Sequence, residues 1–395
     1  MALPIVQLRI VRNSRHPWIY AKMVRHPRPR PPPGALVEVV DRDGTFAGRG
    51  FYHPGQSVAV RILTEDPGEA IDAPFFRRRF VLARALREEV LRLPEVTDAY
   101  RLVHGEADGL SGMVVDKYGD VLVVEPLSAG IRAAGEWIVA ALKDVFPGAR
   151  AVFRIGGRTE EREGVDFSPL RKAHPPPSRV VISEHGLKME VDLAAGHKTG
   201  YFLDQRDNRR DLAALAPGKA VLDLFCYTGG FGLSTLRAGA REVTSVDLDE
   251  KALATAGRNA RLNGLPGGGQ TWTPVHRDVF DFLRDAAAKN LQADVVVVDP
   301  AKLAGVKAEV PRGLKTYSDL NRLAVQAVRP GGVLLTCSCS GLVRQDVFRS
   351  VVSRAAEEAG RELQFFRETG AAPDHPVSSV FPEGRYLKAL WARVL

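Results

Sequence analysis

The sequence predicts an α/β protein whose C-terminal half is an open, largely parallel β-sheet with helices between its strands. Two observations carry this prediction. From about Val181 onward, short apolar runs alternate with stretches of helical periodicity. One run, Val221–Phe225, leads into Thr228-Gly229-Gly230 and a helix, and the next run ends at Asp247. This order of strand, glycine turn, helix, strand and acid is typical of the first half of a doubly wound sheet.

The first 70 residues predict a small β domain. Ala35–Val40, Thr45–Phe51 and Ser57–Ile62 are strand-like runs, and Asp-Gly and Pro-Gly turn signals separate them. A basic, proline-rich stretch over 23–33 is expected to form a loop or a linker, because proline disfavours helix at the residue before it.

Residues 71–180 predict a central α/β domain. A helix is expected over about Phe75–Leu93, and arginines occupy the face opposite to its apolar residues. Those arginines fit either a solvated helix face or contacts with phosphate groups. The other predicted elements of this domain are strands at Met113–Val115, Val121–Val124 and Ala151–Ile155 and a helix at Gly130–Leu142.

The third predicted domain spans residues 181–395. Parallel strands separated by helices bring their carboxyl ends to one edge of the sheet, where ligands of this fold bind. The strand candidates are Val221–Phe225, Glu242–Asp247, Ala293–Asp299 and Gly332–Ser338, and the helix candidates are Gly232–Ala238, Glu250–Leu262, Val279–Asn290 and Leu314–Val328.

The glycine turn of this domain predicts a nucleotide-type cofactor. Glycine lets the backbone approach a ligand closely, and the start of the following helix offers amide groups to it. Asp247 can then hold a pair of ribose hydroxyls. The turn lacks a complete GxGxxG pattern, which argues against a dinucleotide. The structural alternative is a plain glycine-rich turn followed by an exposed aspartate.

Composition limits the classes of function. The chain has 395 residues, a formal charge of +8 and a pI near 9.5, which favours a polyanionic partner. No apolar run approaches the roughly 18 residues of a membrane span, and the N-terminus lacks a signal-peptide core. Its 3 cysteines cannot form a disulfide framework and lack metal-ligand spacing. The sequence therefore predicts a cytoplasmic protein without a membrane span or a metal.

Two further strand ends carry residues that can do chemistry. Asp299 follows an apolar run, and Cys337 and Cys339 lie at the end of another. A thiol and a carboxylate beside a cofactor fit methyl transfer to C5 of a pyrimidine. A thiolate that adds to C6 makes C5 nucleophilic and leaves after the transfer, while the acid holds the ring at N3. The structural alternatives are a turn-forming role for Asp299 and a buried apolar role for Cys339.

These motifs together resemble those of one family. The chain resembles the class I S-adenosylmethionine-dependent rRNA methyltransferases of the large-subunit methyltransferase I type, which modify cytosine C5 in large-subunit (23S) rRNA. The resemblance covers nearly the whole chain. It rests on LVHGEADGLSGMVVDKYGD (102–120), KTGYFLDQRDNR (198–209), LDLFCYTGGFG (222–232), VVDPAK (297–302), TCSCSG (336–341), DHPV (374–377) and FPEGRYLK (381–388).

The resemblance implies a fold and a cofactor site. The domain over 1–70 would be an RNA-binding PUA β-barrel, the central domain would correspond to the "EEHEAD" segment, and 181–395 would be a Rossmann-like methyltransferase domain. Asp247 would hold the ribose and Asp278 the adenine amino group of S-adenosylmethionine. The other implied cofactor residues are Lys198, Thr199, Phe202, Asp204, Arg206, Asp223, Cys226, Tyr227, Thr228, Gly229, Gly230, Phe231 and Asp299.

The resemblance also implies the catalytic residues. Cys339 is the better match to the nucleophile, Cys337 is the second candidate, and Asp299 would lie between cofactor and base. The family has Asp-Pro-Pro-Lys-Phe where this chain has Asp-Pro-Ala-Lys-Leu at 299–303, so the surroundings of the base differ. Ribosomal RNA is the implied partner, and a homodimer is suggested.

Several alternatives stay open at this point. Uracil C5 or the amine of a base can be the methyl acceptor instead of cytosine C5. The chain can also be a non-catalytic RNA-binding assembly protein, or, on weaker grounds, an NAD-dependent enzyme. The sequence does not indicate which nucleotide is modified or whether the substrate is free rRNA or an assembled subunit. It also does not give the oligomeric state.

Overall fold

The computed structural model describes residues 3–194, 196 and 199–395. The chain divides into two compact units. The first unit comprises the chain up to Ser183, Val191–Leu203 and Pro373–Gly384, and the second comprises Glu184–Glu190, Asp204–Ala372 and Arg385–Leu395. The predicted fold class is confirmed, because β-sheets occupy the N-terminal part and a doubly wound α/β sheet occupies the second unit. The three-domain division stays a prediction.

The predicted small β domain is a mixed sheet in the first unit. Its strand order is β2-β6-β5-β4-β1-β3, with β1 parallel to β4 and the other pairs antiparallel. Alternating side chains such as Val37, Val39 and Val60 fill its core. The strands are β1 (Ile5–Leu8), β2 (Trp18–Tyr20), β3 (Val24–Arg25), β4 (Ala35–Val40), β5 (Phe46–Tyr52) and β6 (Val58–Thr64).

A second sheet of the first unit, in the order β10-β9-β8-β7, packs with helices. Asp72 starts the first helix by accepting a hydrogen bond from the amide of Phe75, 2.9 Å away. The strands are β7 (Ala99–His104), β8 (Met113–Tyr118), β9 (Val121–Pro126) and β10 (Arg150–Phe153). The helices are α1 (Ala73–Ala85), α2 (Ala129–Ala133), α3 (Gly135–Val145), α4 (Thr159–Glu163) and α5 (Ser168–Ala173).

The arginines for which the sequence left two roles open differ in burial, since Arg77, Arg78 and Arg84 of α1 are exposed but Arg87 is not. The helix changes to a π-turn over Leu86–Val90, and Arg87 within this turn is fully buried. Its guanidinium binds both carboxylate oxygens of Asp108, at 2.5 and 2.9 Å. Arg84 pairs with Glu88 at 2.6 Å. Intramolecular ion pairs therefore use two arginines that the sequence left open for phosphate.

The second unit contains a sheet in the order β15-β14-β13-β16-β17-β19-β18. Strands β13 to β17 are parallel, and β19 and β18 continue the sheet antiparallel. The chain enters this unit in the hairpin β11 (Arg179–Glu184) and β12 (Leu187–Asp192). The strands are β13 (Ala220–Leu224), β14 (Glu242–Asp247), β15 (Thr271–His276), β16 (Ala293–Val298), β17 (Val328–Ser338), β18 (Leu363–Thr369) and β19 (Lys388–Val394).

Helices separate the parallel strands, as the sequence predicts. Strand β13 has β14 on one side and β16 on the other, so the order of the strands runs outward from β13 in both directions. The topological switch point therefore lies at the end of β13. The helices are α6 (Arg206–Ala213), α7 (Gly230–Arg237), α8 (Glu250–Leu262), α9 (Val279–Ala288), α10 (Val310–Gln326) and α11 (Gln345–Glu358). Over the described residues, none of the helices combines the length and apolar character needed to cross a membrane.

Candidate active site

The loop between β13 and α7 has an unusual backbone. Phe225 and Tyr227 adopt left-handed conformations, with φ of 61° and 50°, and Gly229 follows with a φ of 86°. A Cβ atom on Gly229 would lie 3.1 Å from a methyl carbon of Leu233 in α7. Left-handed backbone at residues other than glycine is costly and gathers at functional sites. This loop lies at the switch point, as expected of a cofactor-binding turn.

Asp223 in β13 points a buried carboxylate at this loop. One oxygen accepts a hydrogen bond from the amide of Gly232, 2.8 Å away. The other oxygen and the hydroxyl of Thr228 are both buried and have no hydrogen-bond partner among the described residues. Buried polar atoms without partners are rare, so these two atoms fit a polar ligand that supplies the missing bonds.

Burial raises the pKa of Asp223 to about 7. The amide of Gly232 lowers this pKa, the carboxylates of Asp299 and Asp247 raise it, and Arg209 lowers it. Acidic groups from three strand ends therefore act on one another here. Such a site favours a ligand with a positive charge.

Asp247 at the end of β14 holds the same loop in place. Its carboxylate accepts hydrogen bonds from the amides of Tyr227 and Asp249, each at 2.8 Å. Carboxylate oxygens have about four lone-pair sites in total, so this side chain can still accept bonds from ligand hydroxyls. Asp249 caps α8 by accepting bonds from the amides of Lys251 and Ala252. The acid expected at the ribose is therefore also part of the loop's support.

Asp278 lies close by at the end of the neighbouring strand. His276 of β15 is paired with Asp247, and the amide of Arg277 donates to the carbonyl of Asp247 at 3.0 Å. Asp278 caps α9, with one carboxylate oxygen 2.9 Å from the amide of Phe280. Its second oxygen is available for a contact with the adenine amine, and that contact stays a prediction.

The predicted lid segment falls into three groups. Lys198 lies outside the described residues. Thr199 belongs to the first unit, where its hydroxyl bonds to Asp116 and to the hydroxyl of Tyr118; Phe202 also belongs to the first unit and is half-buried. In the second unit, Asp204 accepts a hydrogen bond from the hydroxyl of Tyr386 at 2.6 Å, and Arg206 is fully buried.

The ends of β16 and β17 carry the residues with possible chemical roles. Val298 pairs with Leu224 and with Thr336, so the residues that follow these strands meet at one edge of the sheet. Asp299 is half-buried just past β16. The described part of the second unit thus brings the predicted residues together at this edge: Asp223, Cys226, Tyr227, Thr228, Gly229, Gly230, Phe231, Asp247, Asp278, Asp299, Cys337 and Cys339.

The two candidate thiols have different surroundings. Cys337 lies within β17 and is fully buried, whereas Cys339 follows the strand and is half-buried. Burial raises the pKa of Cys337 well above its ordinary value, and Asp299 adds to this effect. Burial also raises the pKa of Cys226. A reactive thiol must ionise and be reachable, so these surroundings favour Cys339.

Two residues that sequence reasoning missed surround the Ser338-Cys339-Ser340 turn. The hydroxyls of Tyr317 and Ser340 lie 3.0 Å apart. The ammonium group of Lys388 donates to the carbonyl of Ser340 at 2.6 Å. Lys388 lies in the FPEGRYLK motif, and a lysine at the start of a mostly apolar strand is a signal that could have identified it.

The donor groups at the strand ends are those of an organic-ligand site. Among the described residues, no group of three or more histidine, cysteine, aspartate or glutamate side chains could hold a metal ion. The donor set at the strand ends consists of carboxylates, hydroxyls and backbone amides. These donors suit an organic cofactor with hydroxyls and a cationic group.

Comparisons with known proteins show which family the chain belongs to. A family model described as S-adenosylmethionine-dependent methyltransferase matches residues 173–393, and a PUA-like domain model matches residues 12–65. The protein named ribosomal RNA large subunit methyltransferase I in Shewanella amazonensis is 42% identical over 97% of this chain and 96% of its own length. Its namesake in Klebsiella pneumoniae is 40% identical over 96% of this chain and 95% of its own length.

The chain belongs to the ribosomal RNA large subunit methyltransferase I family of S-adenosylmethionine-dependent methyltransferases. Solved structures show the same fold. A methyltransferase-like protein crystallised with SAH covers 100% of this chain with a TM-score of 0.80 and 22% identity. A protein from Streptococcus mutans described as a candidate SAM-dependent methyltransferase matches over 99% of this chain and 100% of its own, also with a TM-score of 0.80, at 21% identity.

Replacing Asp223 by asparagine is expected to change how stability depends on pH. The folded wild-type protein holds a proton on Asp223 up to about pH 7, but the unfolded chain holds it only up to about pH 4. The resulting stabilisation is therefore complete at low pH and is lost as the pH rises through 7. An asparagine side chain does not ionise, so the variant does not lose this stabilisation as the pH rises. Its free energy of unfolding relative to that of the wild type should therefore increase by roughly 1–4 kcal/mol from about pH 4 to about pH 8.

Urea unfolding of both proteins at several pH values measures this difference. Asp281→Asn, at an exposed position of α9, controls for the loss of one negative charge. A difference between Asp223→Asn and the wild type that stays constant from about pH 4 to 8 would contradict the prediction.

Proposed function

We propose that this protein transfers a methyl group from S-adenosylmethionine to C5 of a cytosine in large-subunit rRNA, with Cys339 as the nucleophile. One observation carries the proposal: a half-buried thiol follows β17 at the sheet edge where Asp223, Asp247 and Asp299 also lie. The rRNA substrate is supported by the names of relatives that match along almost their whole length. The cytoplasm is the proposed location, and a homodimer stays a prediction.

The proposed cofactor site uses the groups described above. The buried oxygen of Asp223 and the hydroxyl of Thr228 would bind the methionine end, whose ammonium group supplies donors and a positive charge. Asp247 would accept the ribose hydroxyls, and Asp278 the adenine amine. The other residues of the second unit proposed to hold the cofactor are Asp204, Arg206, Cys226, Tyr227, Gly229, Gly230, Phe231 and Asp299, while the roles of Lys198, Thr199 and Phe202 stay predictions from the family resemblance.

Transfer to a ring carbon explains why a thiol is needed. S-adenosylmethionine supplies an electrophilic methyl group on a sulfonium sulfur, which becomes a neutral thioether when the methyl group leaves. Cys339 as a thiolate forms a bond to C6, and the C5=C6 electron pair then makes C5 nucleophilic. After C5 has gained the methyl group, a base takes the C5 proton, the double bond forms again, and the bond between Cys339 and C6 breaks.

Asp299 has a separate proposed role. This carboxyl group follows β16 and Cys339 follows the neighbouring strand β17, so the two groups lie at the same edge of the sheet. A carboxyl group hydrogen-bonded to N3 of cytosine would stabilise the charge that develops in the ring during thiolate addition. Cys337 stays the second candidate for the nucleophile.

The N-terminal domain over 1–70 is proposed to bind the RNA. Arg25 at the end of β3 is exposed, as are Arg28 and Arg30 in the segment that follows, and the chain carries a net charge of +8. Trp18 is used within the protein, because its indole nitrogen donates to Glu106 at 2.7 Å and its ring lies 4.7 Å from that of Phe381. The target base must leave its stack to reach a thiol at the end of a buried strand.

Nucleoside analysis tests the function directly. Large-subunit rRNA lacking this modification is incubated with the protein and S-adenosylmethionine that carries a deuterated methyl group, and the nucleosides are then separated and weighed. We expect labelled 5-methylcytidine. Labelled 5-methyluridine would correct the base, a methylated amine would remove the need for a thiol, and no labelled nucleoside would favour a non-catalytic RNA-binding protein.

A further inference from the structure

Lys388 is a buried cation beside the end of β17, the strand that directly precedes the proposed nucleophile. It begins β19, is 3% exposed, and pairs across the sheet with Ser338 of β17. Lysine is seldom buried unless its charge has partners. Ser338 directly precedes Cys339 in the chain, so the buried charge of Lys388 lies beside the segment that contains the proposed nucleophile.

Hydrogen bonds fix the ammonium group of Lys388 against that turn. Its Nζ donates to the carbonyl of Ser340 at 2.6 Å and to the carbonyl of Tyr386 at 2.8 Å. Ser340 is also held on its other side, since its hydroxyl accepts from the amide of Ala304 at 3.1 Å. The residues before and after Cys339 are thus held in place, and a positive charge is fixed next to one of them.

The other ionisable groups around this turn make that charge important. Asp299 past β16, Tyr317 in α10 and Cys337 in β17 all face the same region, and each of them becomes negative when it loses its proton. Lys302 is a second cation that acts on Lys388, but its side chain is exposed. A thiolate next to a carboxylate is disfavoured unless a cation offsets the repulsion.

Lys388 and Cys339 also act on each other. Burial lowers the pKa of Lys388 to about 8, and a negative charge on Cys339 raises it. Interaction between two titrating groups is mutual, so a charged Lys388 must favour the thiolate form of Cys339 to the same degree.

We propose that the Lys388 ammonium group stabilises the thiolate of Cys339 and, through the carbonyl of Ser340, positions it for attack. This inference rests on the proposed function, because it gives a role to the same thiol. Lys388 is a positioning residue, since it acts through Cys339 and not on the RNA base. The charge of Lys388 would let Cys339 ionise near neutral pH despite Asp299.

Alkylation of Cys339 by iodoacetamide tests the inference without RNA or cofactor. The rate is followed against pH by mass spectrometry of the peptide that contains Cys339, in the wild type, K388M, K388R and K302M. K388M should move the midpoint of the rate profile up by about one pH unit, which is roughly a tenfold slower reaction at about pH 7. K388R keeps the charge and should stay near the wild type, and K302M should shift the midpoint less than K388M. An unchanged midpoint in folded K388M would overturn the inference.

A second measurement covers the case in which K388M does not fold. The pKa of Lys388 is read by NMR from ¹³C-labelled lysine in the wild type and in C339S. Reciprocity predicts a lower pKa for Lys388 in C339S, by the amount that Lys388 contributes to Cys339. An equal pKa of Lys388 in the two proteins would overturn the inference even without a lysine variant.

The two proposals fail in different ways. If methyl transfer survives in C339S while the alkylation midpoint still depends on Lys388, the proposed nucleophile is wrong but the effect of Lys388 on Cys339 stands. If methyl transfer needs Cys339 but neither the midpoint nor the lysine pKa responds, the proposed function stands and the role of Lys388 is wrong.

Discussion

Cys339→Ala is expected to abolish methyl transfer to RNA, with a loss of at least about 10⁴-fold in the single-turnover rate, because the variant lacks the proposed nucleophile for C6. Its affinity for S-adenosylmethionine should stay within about twofold of the wild type, since the proposed cofactor contacts come from other residues. Single-turnover methylation and calorimetric titration with the cofactor measure the two quantities separately.

Cys337→Ala is the matched control, because this thiol precedes Cys339 by two residues in the same segment. Cys337 is fully buried, so its removal should cost about 1–2 kcal/mol of stability through lost packing. Its methyl transfer should fall by less than about tenfold. Reversed results, with transfer lost in Cys337→Ala and kept in Cys339→Ala, would make Cys337 the nucleophile.

Asp247→Ala is expected to weaken the binding of S-adenosylmethionine by roughly 1–3 kcal/mol, which is about 5–150-fold in the dissociation constant. Two causes act together. The substitution removes the acceptor for the ribose hydroxyls, and it also removes the acceptor for the amides of Tyr227 and Asp249. The loop with its left-handed residues would then lose a support that keeps it in the bound conformation. Calorimetric titration gives the dissociation constant.

Asp249→Ala separates these effects from a loss of stability alone. Asp249 caps α8 through the amides of Lys251 and Ala252, so its removal should cost about 1 kcal/mol of stability. Cofactor affinity should stay close to that of the wild type. If both variants bind S-adenosylmethionine more weakly by the same factor, Asp247 acts only through the stability of this region.

Some elements followed directly from local patterns in the sequence. The predicted bounds of β14 and α8 agree with the structure residue by residue, because alternation and helical periodicity there have clear starts and ends. The edge strand β18 was not predicted. Its exposed positions leave too little apolar alternation to distinguish it from a loop.

Other features depend on contacts that are distant in sequence. Arg87 belongs by its spacing to a charged helix face, yet the π-turn carries it inward to Asp108. Lys388 lies 48 residues after Ser340 and meets it only because β19 returns antiparallel to β17. No local pattern contains information about such a pair.

The sequence by itself determined the doubly wound sheet, the cofactor loop and the family, because contiguous motifs identify each of them. The spacing within these motifs reflects the geometry of the backbone. Only the tertiary structure decided which thiol is enclosed. Cys337 and Cys339 stand two residues apart, and residues at this spacing share one face of a strand, so the sequence pattern treats them alike. The strand ends at Ser338, and burial on both faces of the sheet encloses Cys337 while Cys339 lies beyond the last paired residue.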